Sequence, residues 1–316
     1  RAQGEQEAQI LAAEGRKRCA GIEALTQAAP SDPKAARYWL ERGRLHWGIS
    51  NAQMREHAET AAEHYRAAGD SRGLFLALRC VIGSSALNAE QARSAAGQMA
   101  ALEQPQWPAR LRAQRRLAEI TALKTSGRSA DARAAAEALL VLATAAGLDL
   151  VVSATLSELA GLNLALGEAG NALRFARMLT EGANPRRDNF IVHAHAVIAQ
   201  ASLLQGNTQA ARAAIVDFIA ASRSRDWEWF GLYADLYALF AASEGRFQAA
   251  ARLLGYADAA TRNIGERGLN MATARVRAGA LVEVALHPSE IASLADEGAG
   301  AAVASVCEWM LAGAPE

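Results

Sequence analysis

Histidine, cysteine and arginine are the side chains with which this chain could do chemistry, and their spacing limits what that chemistry can be. His193 and His195 stand two positions apart, which on a helix points their rings to roughly opposite sides. His57 and His64 share a helical face but sit about 10 Å apart along its axis. Neither pair has the i, i+4 spacing with which two histidines grip zinc, so both read as surface or packed histidines. Cys19, Cys80 and Cys307 are odd in number and widely scattered, which excludes a zinc framework and fits a reduced, cytoplasmic setting. Neither Gly-x4-Gly-Lys-Ser/Thr nor Gly-x-Gly-x-x-Gly occurs, and no lysine follows a glycine. The expectation is a chain with no catalytic residues, no cofactor and no metal.

Two clusters suit binding better than catalysis. Trp227, Trp229, Phe230, Tyr233, Tyr237 and Phe240 form the densest aromatic segment. Trp229, Tyr233 and Tyr237 follow at i, i+4 and i+8, so on one helix they make a ridge, with Phe230, Tyr237 and Phe240 as a second, buried stripe. Such a ridge either packs against a neighbouring helix or lines a pocket for a peptide or small ligand. Residues 107–133 carry seven basic side chains against Glu119 and Asp131. Within them Arg112, Arg115, Arg116 and Glu119 can share one face, either solvated or turned toward an acidic partner. Trp39, His46 and Trp47 pose the same choice on a smaller scale. The candidate contact surfaces are therefore Trp229, Tyr233 and Tyr237 together with Arg112, Arg115 and Arg116.

The elements that must position these residues are helices. The chain has 316 residues, about half of them hydrophobic, and a formal net charge of zero. That balance argues against general nucleic-acid or membrane-surface binding. About a quarter of the residues are alanine, and only Lys17, Lys34 and Lys124 among the basic residues are lysine. The longest uncharged apolar run, Ala138 to Leu148, is too short to span a bilayer. Alanine, leucine, arginine and glutamate favour helix. The apolar spacing agrees: Leu156, Leu159, Ala160 and Leu164 fall on one stripe, as do Val197, Ala201 and Leu204.

An internal repeat organises these helices. Gly127-Arg-Ser-Ala-Asp-Ala132, Gly167-Glu-Ala-Gly-Asn-Ala172, Gly206-Asn-Thr-Gln-Ala-Ala211 and Gly245-Arg-Phe-Gln-Ala-Ala250 align without gaps, their glycines 40, 39 and 39 residues apart. Forty residues earlier the glycine is replaced by Leu87, but Ala92 keeps the alanine position. Each glycine can take the left-handed conformation that ends a helix, and a methyl group five residues later lets the next helix pack closely. The expectation is an all-α chain, a right-handed α-solenoid of helical hairpins with a period of about 40 residues. An opening helix and linker with a Pro30–Pro33 break should occupy 1–34, about six hairpins 35–265, and a helical cap 266–316. Pro105 and Pro108, flanking Trp107, should mark a boundary between hairpins.

A glycine at the inter-helix turn followed by a small residue resembles the tetratricopeptide repeat, at a longer period than the usual 34 residues. The elongated repeats resemble the C-terminal region of large bacterial ATP-dependent transcription regulators, including the predicted-ATPase, LuxR and maltose-activator types. Ala67-Ala68-Gly69-Asp70-Ser71-Arg72-Gly73 is similar to their "LGD-x-x-G" link between repeats. Ala249-Ala250-Ala251-Arg252-Leu253-Leu254-Gly255-Tyr256-Ala257-Asp258-Ala259 resembles the "AARLLGAAEA" segment that closes their array. Glu14-Gly15-Arg16-Lys17-Arg18 is similar to their "EGRRWLE" opening, while Glu266 to Thr273 departs from their "PPAER" linker.

The resemblance implies a non-catalytic sensor and interaction module. A protein, a peptide or a small-molecule effector would occupy its concave groove. An ATPase and a DNA-binding domain would lie upstream in the same cytoplasmic polypeptide, as a start inside a helical pattern without methionine also suggests. The module itself would touch neither nucleic acid nor membrane. Its alternatives are an autonomous peptide-binding scaffold and a small-molecule receptor.

Overall fold

The computed structural model describes residues 32–45, 50–84, 88–181, 188–224, 227, 229–265 and 267–312, and among them there is no strand. Among the described residues twelve helices lead to residue 264: α1 (Pro33–Leu45), α2 (Asn51–Ala67), α3 (Ser71–Gly83), α4 (Ala89–Leu102), α5 (Ala109–Thr125), α6 (Ser129–Ala145), α7 (Asp149–Ala165), α8 (Ala169–Thr180), α9 (Asp188–Leu204), α10 (Thr208–Arg223), α11 (Ala234–Ser243) and α12 (Phe247–Ile264). Three more follow, α13 (Leu269–Ala285), α14 (Pro288–Ala299) and α15 (Val303–Leu311). Among the described residues no helix is long and apolar enough to cross a membrane.

The repeat glycines end their helices as their spacing predicts. Gly127, Gly167, Gly206 and Gly245 all have positive φ, between 73° and 79°. At each, the next residue's N–H donates to the carbonyl five positions earlier, as in Arg128 to Leu123 and Arg246 to Ala241, both at 3.0 Å. This bond closes the last turn and sends the chain back. Ala132, Ala172, Ala211 and Ala250 are fully buried, and Ala92 is 1% exposed, so the methyl group sits where the paired helices meet.

Pro33 opens α1 at the first helical position, where a missing N–H costs nothing. Residues 1–31, including Glu14 to Arg18 and Pro30, lie outside the described residues. Between α4 and α5 the chain leaves helix at Pro105 to Pro108, and Trp107 stacks edge-on against Phe75 at 5.1 Å.

Each helix from α1 to α12 packs on its successor. The alternate helices α1, α3, α5, α7, α9, α11 and α13 also touch one after another, forming a continuous layer. α12 instead packs heavily on α14. A Cβ on Gly255 would strike the Ala295 backbone, and one on Gly298 would strike the Arg252 backbone. The contact between these two helices therefore depends on both glycines.

Candidate functional site

The layer of alternate helices carries a row of polar side chains that the apolar pattern alone does not reveal. Lys124 on α5 donates to Glu158 on α7 at 2.7 Å. His193 on α9 lies 3.1 Å through Nδ1 from the Tyr233 hydroxyl, on the short 3-10 turn (Phe230–Tyr233) that leads into α11. Gln200 of α9 donates to the Asn270 carbonyl at 2.9 Å, and the Asn270 amide donates to the Gly161 carbonyl at 3.0 Å. These last two bonds bring α13 against α7 across the face of α9. Four helices, α7, α9, α11 and α13, thereby close into a ring.

The electrostatics follow from this crowding. Burial alone would raise the Glu158 carboxyl, but the Lys124 ammonium, with His193 and Arg79 beyond it, holds it below the usual carboxylate range. Burial pushes the His193 imidazole down against the opposing pull of Glu158. Burial also raises the Tyr233 phenol, which stays neutral and able to donate. The row therefore holds one fixed ion pair and several neutral donors and acceptors, an assembly suited to recognising a polar ligand. His193 and His195 do point apart: His195 faces Asp217 on α10 at 3.9 Å.

The aromatic ridge does not form. Trp227 and Trp229 have φ of 62° and 64°, left-handed values that interrupt the helix, and α11 begins only at Ala234. Trp229, Tyr233 and Tyr237 thus belong to three local structures. Tyr237 is fully buried, its hydroxyl donating to the Phe230 carbonyl, among Phe218, Phe230 and Phe240. It is core, whereas Tyr233 reaches the polar row.

The basic run is largely neutralised. Arg115 pairs with Glu103 at 2.6 Å and Glu119 at 3.0 Å, Arg128 with Asp131 at 2.7 Å, and Arg133 with Glu168 at 2.6 Å. Arg112 and Arg116 are exposed and make no ion pair among the described residues. Arg115 is thus not an open cation. His46 and Trp47 lie outside the described residues, while Trp39 packs on His57 at 5.3 Å. Among the described residues no three potential metal ligands converge.

Compared with protein-family models, curated proteins and solved structures, the chain matches none of them.

Proposed function

We propose that the helical hairpins form a right-handed α-solenoid with a repeat of about 40 residues. In this reading the chain is a non-catalytic binding module of the tetratricopeptide type. The observation that supports it is the continuous layer of alternate helices bearing the row Lys124, Glu158, His193, Tyr233 and Asn270. A small effector or a peptide in that layer would favour one arrangement of the hairpins by its differential affinity. The module then serves as the sensor of a cytoplasmic bacterial transcription regulator, with ATPase and DNA-binding segments on the same polypeptide.

Two measurements test this. Thermal unfolding against pools of metabolites and short peptides should find a stabiliser, since a ligand at a hundred times its Kd adds about 2.7 kcal/mol. An immunoblot of source extract should show a band far above 33.4 kDa. No stabiliser from any pool would defeat the binding reading. A band near the chain's own mass would replace the regulator with an autonomous scaffold or receptor.

A further inference from the structure

A second feature of the same layer specifies what kind of ligand it takes. Between α1, α3 and α5 lies a cavity of about 350 Å³, within the size range of small-molecule sites. Arg44, Arg72, Arg79 and Arg110 line it with Gln114, and no carboxylate is among its described lining residues. Arg44 is held by Glu41 at 2.8 Å. Arg72, Arg79 and Arg110 make no hydrogen bond or ion pair among the described residues, and the Arg79 Nε is buried with no partner. Burial pushes the Arg79 guanidinium below its ordinary pKa, with Glu158 opposing. Arg79 is half-buried with its Nε shut off from solvent and unpartnered, which is costly for a cation, and four guanidinium groups around one cavity repel one another. An anion in the cavity relieves both.

The remaining walls narrow the choice. Met54, Leu76, Pro108 and Leu111 are apolar. The first turn of α5, which opens there, has neither a side-chain cap nor an acidic residue, so its free N–H groups add positive potential. Guanidinium forks match phosphate oxygens bidentately. We infer that the arginine-lined cavity between α1, α3 and α5 binds a small phosphomonoester, its dianion on the arginines and its organic part on the apolar wall. This rests on the reading of the chain as a binding module and names its ligand class.

The test is calorimetric titration with phenyl phosphate, inorganic phosphate and succinate, at concentrations up to about 10 mM. Phenyl phosphate should bind, and bind more tightly than inorganic phosphate, which leaves the apolar wall uncovered. Arg110→Ala, an exposed change, and Arg79→Met, which keeps the length of the side chain, should each weaken it about ten- to a hundredfold. Arg262→Ala, an exposed change on α12 outside the cavity, should leave it unchanged. Circular dichroism of each variant confirms that it folds. No binding of phenyl phosphate overturns the proposal, as does binding insensitive to both cavity variants. Succinate binding as tightly as phenyl phosphate overturns the phosphate assignment. If phenyl phosphate fails while the metabolite and peptide pools yield a stabiliser, the binding module stands and only this ligand class falls.

Discussion

Asp70 shows how much one residue decides in a turn. Gly69 takes a φ of 69°, and the Asp70 N–H donates to the Tyr65 carbonyl at 3.0 Å, ending α2. The Asp70 carboxylate then accepts from the Gly73 N–H at 2.8 Å, starting α3. Gly73 must be glycine because a Cβ there would enter the Tyr65 ring. The Gly-Asp-x-x-Gly spacing thus joins a helix stop, a cap and a close approach. Asp70→Ala should cost about 1 kcal/mol of stability, read from urea denaturation, and an unchanged midpoint would refute the capping role. Acidification tests the buried imidazoles. His193, facing Lys124, Glu158 and Tyr233, is held below its usual pKa of 6.5 by burial despite Glu158. His195 is also held below 6.5 by burial, against the pull of Asp217. The unfolded chain takes up these protons near 6.5, whereas the folded chain does so only at lower pH. Stability should therefore be level above about pH 7 and fall as pH drops through 6.5, with a shallower fall in His193→Gln. A wild-type urea midpoint unchanged between about pH 7 and 5.5 would contradict this burial. The histidine geometry was legible because i, i+2 fixes opposite directions on any helix. The aromatic ridge was misread because i, i+4 spacing carries no sign that Trp227 and Trp229 adopt left-handed backbone.

At the scale of elements, the glycines and alanines of the repeat were legible because each does its work within its own hairpin. The polar row was not, because its residues meet only across helices. Lys124, Glu158 and His193 follow at 34 and 35 residues, and Arg44, Arg79 and Gln114 at 35, whereas α1, α3, α5, α7 and α9 begin every 38 to 40. A row crossing the helices therefore slips back about one turn per hairpin, so a search at the glycine period passes it by. The C-terminal helix was equally hidden. Glu244 binds Arg212 and Arg246, each at 2.6 Å. Arg246 in turn donates to the Trp309 carbonyl and, at 2.7 Å, to that of Met310. Together they cover backbone acceptors at the end of α15 that have no other partner among the described residues, while Val306 and Met310 are fully buried beneath. Arg246→Ala should loosen α15 before the rest of the chain, giving early proteolytic cleavage near residue 303 with the helical signal intact. Cleavage no faster than in the wild type would mean that apolar packing alone holds α15.

Closure of the ring α7–α9–α11–α13 divides the layer of alternate helices into two parts. Around Gly161, His193 and Asn270 the face is covered by α13, whereas between α1, α3 and α5 it opens on the arginine-lined cavity. Two side chains, Gln200 and Asn270, provide the polar links across the ring at 2.9 and 3.0 Å. Removing both in Gln200→Ala/Asn270→Ala costs about 1 kcal/mol per bond, too little to unfold a chain with an extensive core but enough to shift an arrangement held by few contacts. Solution scattering should show a larger radius of gyration, and hydrogen exchange should show lost protection in α7 near Gly161, with α1 to α5 unchanged. If both quantities stay at wild-type values, the packing of α13 on α11 sets the curvature. The two polar links would then have no part in the shape of the molecule.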